Sequence, residues 1–130
     1  MQDREQIEEL ARRYTEAWCS HDPARVAAEY GPGGTIAVNG GEPAGIAEVA
    51  GGFITAFPDI EVFMDEIVVR DDDVVEYRWT FTGTSAETGQ WVRIPGFEEW
   101  TIDADGVIAE SRGHFDEAEY DRQLREGAGP

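Results

Sequence analysis

The chain has 130 residues, 41% of them hydrophobic, and a formal net charge of −18 from 28 acidic and 10 basic side chains. That size suits one domain around a single core, and so acidic a field repels phosphate backbones and anionic bilayers, so neither nucleic acid nor membrane is an expected partner. Every basic residue is an arginine, which excludes lysine Schiff-base chemistry and a P-loop lysine.

No apolar run is long enough to span a bilayer, and the first residues lack a basic-then-apolar signal, so a cytoplasmic location is expected. The Arg, Ala, Gly and Asp bias points to a GC-rich bacterial genome. Cys19 is the sole cysteine; it excludes an internal disulfide and reads as a small packed residue. Zinc sites need clustered His and Cys, and the chain has one cysteine and two histidines 93 positions apart; Asp71-Asp72-Asp73 lacks the ligand spacing of a calcium loop, so no metal and no cofactor are expected.

Spacing predicts a first helix from Asp3 to Cys19, with Ile7, Leu10, Ala11, Tyr14, Ala17 and Trp18 on its apolar stripe. Asp22 and Pro23 then start a short second helix, whose apolar side is Val26, Ala27 and Tyr30. His21 reads as a solvated turn residue. Gly31-Pro32-Gly33-Gly34 lacks any phosphate-binding pattern and reads as a turn. A strand from Thr35 to Asn39 follows. Asn39 suits a turn with an unusual backbone angle, or a pocket hydrogen bond.

Gly45 to Phe57 is the clearest amphipathic helix, ended by Pro58. Strands Ile60–Val69 and Val74–Thr82 come next, joined by a turn at Arg70–Asp73. Val75, Tyr77, Trp79 and Phe81 share one face of the second, as plain core or as the wall of an apolar pocket. After a loop over Gly83–Gly89, two runs rich in Val, Ile, Phe and Trp flank Asp103-Ala104-Asp105-Gly106, which predicts a long hairpin. Alternation puts Gly96, Glu98, Trp100 and Ile102 on one face of its first strand. On the second strand it turns Val107, Ala109, Ser111, Gly113 and Phe115 inward, and His114 and Asp116 to the opposite face, unless a bulge near Gly113 turns His114 inward. Pro95 implies a strand edge or a bulge. Glu117 to Glu126 is a closing helix. The sum is an α+β domain, a curved antiparallel sheet packed on N-terminal helices, with no internal domain boundary over 1–130.

Glu98 beside Trp100 on an inward face is the chemical oddity. Burial disfavours the carboxylate and raises its pKa, which suits a proton donor near neutrality. The alternative is a structural anchor paired with a buried arginine or with Tyr14. Glu98→Leu separates the two on this reasoning, by raising stability in the first case and lowering it in the second.

The motifs R-R-Y-T-E-A-W-C-S-H-D-P, A-F-P-D, F-T-G-T and D-G-V-I-A-E-S-R-G-H-F-D resemble the nuclear-transport-factor-2-like superfamily. That group includes SnoaL-like polyketide cyclases, ketosteroid isomerases and limonene-epoxide hydrolases. The resemblance implies a cone with an internal pocket for a small apolar molecule, and pairing through the sheet to form a homodimer. It implies that Tyr14 and Glu98 match the oxyanion-hole tyrosine and acid of the isomerases, the catalytic candidates. It also subtracts: the proton-shuttling position falls at Val38, the aspartate of the cyclases and hydrolases at Gly113, and a cyclase histidine at Ser85. Trp18, Asn39, Phe53, Tyr77, Trp79, Trp100, Ser111 and Phe115 are the expected ligand-binding residues. A non-catalytic ligand-binding or dimerisation protein of the same fold remains the alternative.

Overall fold

The structure, a computed structural model, describes residues 3–129. Helix α1 (Arg4–Cys19) opens on a capping box: the Asp3 carboxylate accepts from Gln6 N, and the Gln6 side chain accepts from Asp3 N. Helix α2 (Pro23–Ala27) follows its Asp22 cap. Chain order then gives β1 (Tyr30–Val38), β2 (Ala44–Gly45), α3 (Ile46–Ala56), β3 (Glu61–Val69), β4 (Val75–Thr84), β5 (Trp91–Ile102), β6 (Ile108–Phe115) and α4 (Glu117–Glu126). None of the described helices is long and apolar enough to cross a membrane.

The six strands form one sheet in the order β2-β1-β6-β5-β4-β3. Its long members pair antiparallel, but β1 runs parallel to β6, so the sheet is mixed rather than wholly antiparallel. Helices and sheet enclose the core as an α+β cone, with Trp100, Tyr14, Tyr77 and Phe57 the largest fully buried side chains.

Several local expectations are corrected or refined: Cys19, expected to be packed, is exposed at the end of α1, and three others have a reason in the sheet. Gly31-Pro32-Gly33-Gly34 is not a turn outside the sheet but part of β1, which bulges between Tyr30 and Thr35. Glycine allows this: Gly33 has φ +73°, and a Cβ on Gly34 would stand 2.6 Å from that of Tyr30. Tyr30 is therefore a strand residue, not a helical one. Between β5 and β6, Thr101 faces Glu110 but Ile102 faces Ile108, which leaves Ala109 of β6 as the extra residue. Ile108 thus points inward and is buried while Ala109 is exposed, so the expected Val107/Ala109 parity holds only from Ser111 onward. Pro95 lies in a central strand, but pairing with β6 stops at Gly96–Phe115, so on that side it stands at the local edge that its missing N–H implies.

Candidate functional site

Among the described residues, Glu98 is the one acidic or basic residue with a buried side chain, at 5% exposure. Strand alternation turns it inward between Gly96 and Trp100, and its cross-strand neighbours are Tyr77 on β4 and Gly113 on β6. Four elements converge on its carboxyl group. Tyr14, midway along α1, donates to Oε1 at 3.0 Å and reaches Oε2 at 3.2 Å. The Trp100 indole N–H donates to Oε1 at 3.0 Å and the Ser111 hydroxyl at 2.8 Å. Tyr30 lies behind, its hydroxyl 3.1 Å from that of Tyr14.

Burial pushes the Glu98 carboxyl above its usual value; the hydrogen bonds from Trp100, Ser111 and Tyr14, with the Tyr30 hydroxyl behind them, pull it down but do not cancel that rise. Burial and then the nearby Glu98 charge raise the Tyr14 and Tyr30 hydroxyls well above the ordinary range, so both stay protonated. No basic side chain is among these partners; the network is neutral donors around one acid. Oε1 accepts from Tyr14, Trp100 and Ser111, whereas Oε2 has only the longer contact to Tyr14. A proton on the acid therefore belongs on Oε2, because the indole N–H on Oε1 can only donate.

A cavity of about 60 Å³ opens against this acid. Of the residues expected to contact a ligand, Trp18, Phe53, Tyr77, Trp79 and Phe115 line it together with Glu98. Tyr14, Trp100 and Ser111 do not; they stand behind the acid and hold it. Asn39 is elsewhere in role: its φ is +50°, its side-chain oxygen accepts from Phe115 N at 2.9 Å, and its amide donates to Glu117. It ties the end of β1 to the start of α4. His114 lies on the outer face, 2.8 Å from Glu99 and stacked on Phe97, while Asp116 caps α4. His21 is more than a solvated turn residue, since its Nε2 meets the Ile60 carbonyl at 2.8 Å. Val38 and Gly113 also line the cavity, and neither carries a proton to exchange.

Phe81 lines the cavity beside Trp79, as one of the two readings of the Tyr77/Trp79 face had it, and Ile36, Val49, Ile60 and Val62, which alternation and helical spacing read only as apolar, line it too. Tyr30 joins the acid network, and nothing local announced it: four residues after Val26, it has the spacing of a helical apolar residue.

An α+β cone with a buried acid at an apolar cavity is the architecture of the nuclear-transport-factor-2-like proteins. The family model described as the SnoaL-like domain matches residues 11–111, and the chain belongs to that family, whose members bind small molecules and include cyclases and isomerases. No curated protein sequence matches. Among solved structures, AclR, a putative hydroxylase from Streptomyces galilaeus, is 20% identical with a TM-score of 0.79, over 94% of this chain and 97% of that one. SalBIII, an epoxide hydrolase/cyclase-like enzyme of pyran ring formation in salinomycin, is 17% identical with a TM-score of 0.79, over 92% and 97%. An NTF2-like protein of unknown function from Exiguobacterium is 25% identical with a TM-score of 0.72, over 82% and 98%.

Proposed function

We propose that this chain binds a small, apolar, carbonyl-bearing molecule in the cavity, with Glu98 as hydrogen-bond donor and proton-exchanging acid. The observation that carries this reading is the acid itself: buried at an apolar wall, without a cationic partner, and saturated on Oε1 alone. A protonated Oε2 is a donor in search of an acceptor, and a ligand carbonyl supplies one. Tyr14 then acts as a positioning residue, since its hydroxyl is taken up by Glu98 and Tyr30. The cavity at its present size holds only a few heavy atoms. A ring-sized ligand requires Phe53 to swing aside, and Phe53 is half-buried and follows the helix-weakening pair Gly51-Gly52.

Cyclase- or isomerase-type proton transfer at such a ligand runs through Glu98, because Val38 and Gly113 bring no second acid to the cavity. The reading without turnover rests on that same absence. Proton exchange separates the two: cyclohexanone in D₂O, followed by NMR, loses α-protons faster with wild type than with Glu98→Gln in the catalytic reading. Equal rates leave a binding protein. Binding itself is tested by titration. Glu98→Gln keeps a donor and retains cyclohexanone, whereas Glu98→Leu weakens it at least about tenfold, the value of one charge-assisted or well-buried hydrogen bond. Equal affinity in all three proteins would sink the carbonyl reading.

We infer also that the chain pairs through the outer face of its sheet. Phe97 is sandwiched there, with His114 stacked at 4.8 Å and the Arg78 guanidinium 5.5 Å from its ring centre. A mixed apolar and charged face of this kind suits a self-complementary contact. Sedimentation at micromolar concentration is expected to give a dimer, and a lone 14.4 kDa species would overturn this.

A further inference from the structure

Trp79 carries a polar atom with nothing to bind. Its indole Nε1 is shut off from solvent and has no hydrogen-bond acceptor among the described residues. Buried N–H groups are rarely left in this state, because the water they give up is not replaced. Asp65, which lines an adjoining groove with Trp79, accepts from the Thr80 hydroxyl instead. The Trp100 indole, two residues past Glu98, is by contrast satisfied by that acid.

The ring is also held in place. Trp79 faces Gly96 across β4 and β5, and a Cβ on that glycine would come within 2.6 Å of Cη2 and 2.7 Å of Cζ2. The indole thus occupies the space of the missing side chain. Phe81 and Phe115, with centroids 6.1 and 6.4 Å away, flank it. All three rings line the cavity that Glu98 closes. A donor held in place on a ring that lines an otherwise carbon wall discriminates by hydrogen bonding when a ligand that opens the cavity reaches it, since a ligand lacking the matching acceptor leaves it unpaired.

We propose that Trp79 is a specificity-determining residue whose N–H receives a second oxygen of the ligand, so that the cavity selects molecules with two acceptors, such as diketones, hydroxyketones or keto esters, over simple ketones. This rests on the reading of Glu98 as the donor to the first carbonyl. The indole makes and breaks no covalent bond; it orients the ligand and sets which ones are retained.

The test uses the full chain with cyclohexanone and cyclohexane-1,4-dione, rings of one size that differ by an oxygen. Wild type is expected to bind the dione roughly five- to tenfold more tightly, the range of one added neutral hydrogen bond and more than the about twofold that the dione's symmetry supplies. Trp79→Phe, which keeps a ring, is expected to bring the dione's advantage over the ketone down to the about twofold of symmetry, whatever it does to the ketone itself. In wild type the Trp79 indole ¹⁵N–¹H resonance moves downfield with the dione and not with the ketone, a readout that needs no folded variant. A wild-type preference for the dione of no more than about twofold, an indole resonance the dione does not move, or a variant that keeps the wild-type preference would overturn the role of Trp79 while leaving the Glu98 site standing. Failure of wild type to bind either ring removes the carbonyl reading, and this inference with it.

Discussion

Tyr14 and Glu98, 84 residues apart in the chain, are joined through one hydroxyl placed 3.0 and 3.2 Å from the two carboxyl oxygens. That contact ties helix α1 to the middle of β5, and Trp100 and Ser111 fasten the same acid to the sheet. Site and scaffold therefore share a residue.

The first consequence is for Glu98→Leu. Three donors lose their acceptor in the closed core, and the expected loss is about 3–5 kcal/mol. Sequence reasoning assigned destabilisation to a pure anchor and stabilisation to a pure catalytic acid. The donor set removes that contrast, because an acid held this way supports the fold whatever it does to a ligand. Ligand titration is left as the discriminating measurement. Glu98→Gln retains an acceptor oxygen and is expected to lose only about 1–2 kcal/mol. Urea melts giving Glu98→Leu wild-type stability would show that the donors find other partners.

The titration of Glu98 has a definite sign. Its carboxyl pKa in the folded chain is raised from 4.5 by burial, so between the unfolded and folded values the native state binds the extra proton. Its contribution is present in full below about pH 4.5 and is lost as pH rises through the folded pKa. Glu99 runs the other way: burial raises it, but the His114 and Arg70 hydrogen bonds bring it below 4.5, so its share is lost as pH falls. Subtracting the Glu98→Gln melting curve from that of wild type isolates the first effect. The difference is expected to shrink from pH 5 upward, and a difference that grows with pH would contradict a raised pKa.

Tyr30→Phe removes one hydroxyl from the network while leaving the ring in the core. The expected cost is about 1 kcal/mol, since the Tyr14 hydroxyl keeps Glu98. Because Tyr30 is one of the groups that lower the Glu98 pKa, the variant should also move the pH transition of the previous experiment upward. An unchanged transition would place Tyr30 outside the network.

Tyr30 marks where the sequence stopped being legible. The helices were readable because apolar residues recur at a fixed period, as Ile7, Leu10, Tyr14 and Trp18 do. Glu98 was readable because Gly96 and Trp100 fix the parity of β5. The tyrosine was not, because its strand begins in a glycine run whose bulge depends on contacts with β6 that no local pattern encodes. The bulge at Ala109 escaped for the same reason: alternation describes a regular strand, and the partner decides where it slips. Asn39 shows the limit on side chains, since its left-handed backbone was legible but its grip on Phe115 and Glu117 was not.

The last prediction sets two glycines on the same inner face against each other. Gly113, cross-strand from Glu98, has room: a Cβ there would meet Ile36 at 3.6 Å and Glu98 at 3.8 Å, ordinary contacts. Gly96 has none, for a Cβ would stand 2.5 Å from the His114 carbonyl oxygen and 2.6 Å from the Trp79 ring. A backbone oxygen cannot step aside as a flexible side chain can, so Gly96→Ala has to shift β5 against β6 and unseat the indole. Its expected cost is about 1–3 kcal/mol. Gly113→Ala should fall between neutral and a gain of roughly 0.4–1 kcal/mol, since alanine lowers the entropy of the unfolded chain. Denaturation midpoints of the two variants decide the matter. A tolerant Gly96 would mean that the indole is not held by its glycine seat, and the fixed orientation argued for Trp79 would fall with it.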